Sequence, residues 1–215
     1  MGQYYKPCNI DTLEYLYSHE FDNGLKLMEH SYIGNNFVEA VERLLSPGGP
    51  WHKCHLCWAG DYMDAGLFLP EGHPIKDEKG YDINLYSVAT TNAISAIEKL
   101  KPKSKDDYVD PYSAPVKTAV AKWVKKLPKK GRYLVNHTKK VCLDLTAENN
   151  PSDSEYIIHP LPLLTCSGNG RGGGDYHGGT SFGEIGSWAG DEISMEHEVT
   201  YELKSPINFC EQRYS

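Results

Sequence analysis

The chain has 215 residues, a formal net charge of −7 and 24% charged residues, an ordinary globular composition with room for one sizeable core or two small ones. An apolar run of membrane-spanning length is absent from the sequence, and its opening residues predict no secretion leader, so a cytoplasmic protein without membrane association is expected. The six cysteines are then expected as thiols, and the Asn136-His137-Thr138 sequon as idle.

In chain order, residues 3–8 and 13–18 predict a hairpin joined through Asn9, Ile10, Asp11 and Thr12. Asn35 or Asn36 can cap a helix, because Phe37, Val38, Val41, Leu44 and Leu45 recur at helical spacing until Ser46-Pro47-Gly48-Gly49-Pro50 stops it. Residues 52–58 read as a strand that leads into Trp58-Ala59-Gly60-Asp61. Next come two predicted helices, 88–100 and 113–128, separated by a charged, proline-bearing surface loop at 101–112. The second carries an apolar stripe of Val116, Ala119, Val120, Trp123, Val124 and Leu127, backed by Lys117, Lys122, Lys125 and Lys126.

A second hairpin is expected at 132–136 and 141–145. The chain then departs from the first pattern. Where a helix would be repeated there is His159-Pro160-Leu161-Pro162, followed by a Gly-rich run and a strictly alternating strand over 193–203. The tetrapeptide Trp-Ala-Gly-Asp returns at Trp188 to Asp191. Gly2 precedes the first copy by 56 positions and Gly131 precedes the second by 57. This matched spacing predicts a tandem duplication: 1–65 as a first repeat, 66–130 as a helical insertion, and 131–215 as a second repeat, within one compact domain. The expected fold class is α+β, an antiparallel sheet built from two related halves in a pseudo-twofold repeat.

Chemistry is sparser. Asn169, Gly170, Arg171, Gly172, Gly173 and Gly174 offer consecutive backbone amides and a guanidinium, which suits a phosphate or carboxylate. The run matches neither the P-loop nor the dinucleotide fingerprint, and its plain alternative is a turn that makes room for Trp188. Asp61, Asp175, His177 and Asp191 are the candidate catalytic groups. Under a twofold arrangement Asp61 and Asp191 would face each other, although an Asp after Gly more often closes its own turn. Cys54-His55-Leu56-Cys57 has the spacing of half a zinc knuckle without the other half, and on a strand the two thiols point to opposite faces. Neither a metal site nor a resident cofactor is predicted, and no acyl-transfer nucleophile motif is present. His137 and His159 read as partly buried polar residues.

The Met1-Gly2-Gln3-Tyr4-Tyr5 start, the Asn23 to Glu29 segment, the Asn169 to Asp175 run and the Gly186 to Asp191 turn resemble an uncharacterised family of small microbial and phage-encoded proteins. That resemblance brings no catalytic residue or ligand with it. It implies an accessory role such as ligand sequestration or host-defence inhibition. The residues themselves favour binding of a small anionic ligand, for example a nucleotide, by the Gly-rich run. The alternatives are a protein or nucleic-acid interaction module and a metal-dependent phosphoester hydrolase. For the module, residues 98–140 hold 13 Lys and Arg against four acids.

Overall fold

The computed structural model describes residues 2–93, 131–145, 157–168, 176, 182–205, 207 and 209. Among them the protein is α+β, mostly sheet, with nine strands in one open sheet of order β4-β2-β1-β3-β8-β5-β6-β9 and β7 paired to β3 off that path. The strands are β1 (Tyr5–Asn9), β2 (Glu14–Tyr15), β3 (Cys54–Gly60), β4 (Thr91–Asn92), β5 (Tyr133–Asn136), β6 (Val141–Asp144), β7 (Cys166–Ser167), β8 (Glu192–Glu196) and β9 (Glu202–Leu203). The helices are α1 (Asn36–Leu45), the single turn α2 (Leu85–Val88) and α3 (Pro160–Thr165). Antiparallel pairs form the middle of the sheet. The sheet is nonetheless mixed, because β2–β4, β3–β7 and β6–β9 pair in parallel.

The first hairpin is shorter than its alternation suggested. The Asn9 side chain accepts the amides of Asp11 (2.9 Å) and Thr12 (3.3 Å), and this fixes a turn that pairs Cys8 with Tyr15. Ser18 already opens a 3-10 turn. Helix α1 forms as its spacing predicts, with Asn35 as the cap: its Oδ1 accepts from the amides of Phe37 (2.9 Å) and Val38 (3.4 Å). Phe37, Val38, Val41, Leu44 and Leu45 are fully buried against the sheet. Burial of each is worth about 1.5–3 kcal/mol, so this face, rather than helix propensity, holds α1 in place.

Strand β3 is the spine. Alternation along it separates two cores: Cys54, Leu56 and Trp58 enter the main cluster with α1, whereas Cys57 and Ala59 enter a second cluster with Cys8, Met63, Leu85 and Ala89. Cys54 and Cys57 do point to opposite faces. The second hairpin pairs as expected, Val135 with Cys142 and Asn136 with Val141.

Three expectations are corrected. The helix expected over 88–100 does not begin there, because Val88 ends α2 and Thr91–Asn92 is drawn onto β2, with the Ala93 amide donating to the Tyr15 carbonyl at 2.7 Å. Residues 94–130, with both the remainder of that helix and the lysine-backed one, lie outside the described residues. The His159-Pro160-Leu161-Pro162 stretch is helical after all: His159 Nδ1 accepts the Leu161 amide at 3.1 Å, and Pro160 occupies the first helical position, where no amide is needed. The alternating strand over 193–203 breaks after Glu196. Beyond that point Val199 and Leu203 are exposed, and β9 pairs with β6 instead of continuing β8.

Candidate functional site

The two Gly-Asp corners lie far apart. At the first, the Tyr4 amide donates to Asp61 Oδ1 at 3.0 Å and the Asp61 amide donates to the Tyr4 carbonyl at 2.9 Å. Partial burial raises the Asp61 carboxyl above its ordinary value, against backbone amides that pull it down. At the second, Asp191 Oδ2 accepts from Asn136 Nδ2 at 2.7 Å and pairs with the Lys139 ammonium. The Leu56 amide donates to the Asp191 carbonyl, so the two aspartates sit five positions apart along β3, about 16 Å at strand rise. They do not face each other. Asn136 is fully buried in this contact, which closes the sequon to modification.

Asn169, Gly170, Arg171, Gly172, Gly173, Gly174, Asp175 and His177 lie outside the described residues, as do Lys117, Lys122, Lys125 and Lys126. The attachment points of the Gly-rich run are described. It leaves at Gly168, where an added Cβ would collide with Gln3 Oε1 and lie 2.6 Å from the Tyr5 hydroxyl. It returns at Tyr176, buried and edge-on to Phe209 with ring centroids 6.0 Å apart. At the foot of the run the Tyr5 hydroxyl donates to Gln3 Oε1 at 2.8 Å. Gln3 is 2% exposed, and its Nε2 has no hydrogen-bond partner among the described residues. Gly60 flanks the same amide, again with no room for a side chain. Sequence reasoning passed over Gln3, since one polar residue at the chain start carries no pattern; only the pairing of Tyr5 with Gly60 brings it here.

A second polar assembly went unforeseen. On β8, Ser194 and Glu196 share the face opposite the buried Ile193 and Met195. The Ser194 hydroxyl donates to Glu196 Oε1 (2.7 Å), His52 Nε2 meets the same oxygen (2.8 Å), His137 Nε2 meets Ser194 Oγ (2.8 Å), and His137 Nδ1 meets the Tyr201 hydroxyl (3.3 Å). Burial would push Glu196 up, but the Ser194 hydroxyl and the His52 imidazole bring it below its ordinary value. An ionised Glu196 only accepts, so the Ser194 proton points to it, His137 Nε2 carries the next proton, and Tyr201 donates to Nδ1. That makes His137 neutral, in accord with a pKa lowered by burial and by Lys53. Ser194 is fully buried and its proton is committed to a carboxylate, so this chain of hydrogen bonds pins β8 to the β5–β6 turn rather than arming a nucleophile. The available signal was the polar side of the 193–203 alternation, which holds both Ser194 and Glu196.

Two further sets of ionisable groups among the described residues are structural. Glu42 on α1 accepts from His159 Nε2 at 2.9 Å and pairs with the Arg132 guanidinium. Burial opposes its charge, but His159 and Arg132 together hold the carboxyl below its ordinary value. Glu42 and His159 are fully buried, and a ligand would have no path to them. His159 is thus a core residue rather than a partly buried one. The half-knuckle dissolves: burial pushes the Cys54 and Cys57 thiols well up, while His52 and His55 bond Glu196 and Asp11. No group of three or more His, Cys, Asp or Glu among the described residues is arranged to hold a metal, and none of their helices is long and apolar enough to cross a membrane. The chain matches no protein-family model, no curated protein and no solved structure.

Proposed function

We propose that the protein binds a small anionic ligand, a nucleotide being one example, through the backbone amides of Gly170 to Gly174 with Asn169 and the Arg171 guanidinium. The observation that carries this reading is the attachment of the run: Gly168 and Tyr176 are both buried, so the residues between them span two fixed ends. Fixed ends reduce the entropy lost when a Gly-rich segment closes on a ligand. Gln3 adds a donor at the foot of the run. A buried donor left unpaired costs about 1–3 kcal/mol, and Gln3 Nε2 has no partner among the described residues. Asp175 and His177 would contact the remainder of the ligand. The separation of Asp61 from Asp191 disfavours the metal-dependent hydrolase, and binding without turnover suits a cytoplasmic sequestering protein of phage type.

Duplication of one unit fits the same reading. In support, the order β4-β2-β1-β3 is mirrored by β9-β6-β5-β8, each half having a hairpin, a central strand and a parallel edge strand that follows it in sequence. The competing reading, a protein or nucleic-acid module using Lys117, Lys122, Lys125 and Lys126, draws on the excess of 13 Lys and Arg over four acids at 98–140.

A melting-temperature screen against phosphorylated metabolites separates the two. A ligand at 100 times its Kd contributes about 2.7 kcal/mol, a readable shift, and Arg171→Ala is expected to abolish it. No shift with any metabolite, together with a salt-sensitive association with a macromolecule, overturns ligand binding. A shift that survives in Arg171→Ala overturns the assigned contacts.

A further inference from the structure

Cys8 on β1 and Cys57 on β3 are directly opposite each other in antiparallel register. The Ile10 amide donates to the His55 carbonyl at 2.9 Å and the Asp61 amide to the Tyr4 carbonyl at 2.9 Å, so the pairs 10/55 and 4/61 are hydrogen-bonded ones. Bonded pairs recur every second residue, and Cys8/Cys57 is one of them, with a Cα separation of about 5.5 Å, inside the range that disulfides span, and with Cβ atoms at the wide end of cross-strand spacing, so that bonding draws β1 and β3 locally together. Both side chains enter the same apolar cluster, under Met63, Leu85 and Ala89. The other described thiols are placed elsewhere: Cys54 and Cys166 belong to the main core, and Cys142 lies against the Tyr201 and Glu202 carbonyls.

We propose that Cys8 and Cys57 form a latent dithiol that a small-molecule disulfide oxidises to a cross-strand disulfide joining β1 to β3. In the first step one cysteine thiolate attacks a sulfur of the small disulfide, whose S–S bond breaks and whose other half leaves as a thiol. In the second, the facing cysteine attacks the mixed disulfide and releases the second thiol. The net change is two protein thiols and one small disulfide to one protein disulfide and two small thiols. Both thiols are fully buried, and burial pushes Cys8 up to about 12 despite the nearby Lys6 ammonium. Exchange therefore waits on opening of the 61–89 segment that supplies the cover. Once formed, the bond closes a long loop and restricts the unfolded chain.

The test equilibrates the full chain with oxidised glutathione, natively and in sub-denaturing urea, until its thiol content is constant, then blocks free thiols and maps peptides without reduction. A Cys8–Cys57 crosslink that urea accelerates, raises the melting temperature by several degrees and disappears with dithiothreitol supports the proposal. Cys57→Ser should show neither crosslink nor melting shift. Equilibrated wild-type protein with no crosslink, or with Cys8 or Cys57 joined to a different cysteine, overturns it whether or not the variant folds.

Discussion

The two Trp-Ala-Gly-Asp copies share four residues and adopt different structures. The first is strand: Trp58, Ala59 and Gly60 lie in β3 between β1 and β7, and Trp58 Nε1 donates to His30 Nε2 at 3.0 Å in the core. The second is a turn ahead of β8, with the Trp188 amide bonded to the Leu164 carbonyl and Gly190 at φ 79°. The second copy reaches the strand that holds the first, since the Gly190 amide donates to the Leu56 carbonyl of β3 at 2.8 Å. The difference teaches that a short identical string does not specify its conformation. What decides is which strand edges are free to take up its amides and carbonyls.

The largest expected effect comes from removing the first indole. Trp58 is fully buried, stacked on His30 and edge-on to Phe37, and Trp58→Ala should cost about 3–5 kcal/mol in urea unfolding. A loss below about 1 kcal/mol would show that this copy does not anchor the core.

Acid should act on the same contact. His30 Nδ1 bonds the Gly24 carbonyl and Nε2 accepts from Trp58, so the ring is neutral, and burial lowers its pKa to about 4. The unfolded value is about 6.5. A depressed folded value means that this contribution is complete above pH 6.5 and is lost as pH falls toward 4, by on the order of 3 kcal/mol. Unfolding free energies measured across that window check it, and a flat profile together with a His30 ring that titrates near pH 6.5 by NMR contradicts it.

The glycines separate the copies further. Gly190→Ala places a side chain at positive φ and against the Phe68 ring, at a cost of about 1–2 kcal/mol that Phe68→Ala should not restore. Gly60→Ala stays at ordinary φ and meets the Gln3 side chain most closely, with the Ser167 carbonyl at 3.0 Å, so Gln3→Ala should relieve most of the clash, and a double-mutant cycle distinguishes the two cases. The smallest effects belong to the aspartates. Asp191→Asn loses the half-exposed Lys139 pair, worth at most about 1 kcal/mol, while Asp61→Asn retains an acceptor for the Tyr4 amide and should stay within about 0.5 kcal/mol in the same unfolding assay.

Local pattern was legible where one element buries one face. The α1 stripe and its Asn35 cap, and the second hairpin, follow from periodicity and side-chain capping alone. Alternation over 193–203 misled because the pattern describes a half-buried strand without saying whether a neighbour exists for all of it; β8 finds partners only as far as Glu196. The helix at Pro160–Thr165 went unread because its cap is a histidine, fixed in turn by Glu42 from a distant helix. Site geometry was the least legible. His52 meets Glu196 across 144 positions, and Gln3 reaches Gly168 only through the register of β1 on β3. Such contacts are consequences of topology, which spacing along the chain does not encode.

The most direct test of the anion-binding account is backbone amide NMR during titration with the phosphorylated metabolite that raises the melting temperature most. The account predicts saturable shifts in the amides of Gly170 to Gly174 and in the Gln3 side-chain amide, absent in Arg171→Ala. Shifts centred instead on Lys117, Lys122, Lys125 and Lys126, with the glycine amides unmoved, would contradict it.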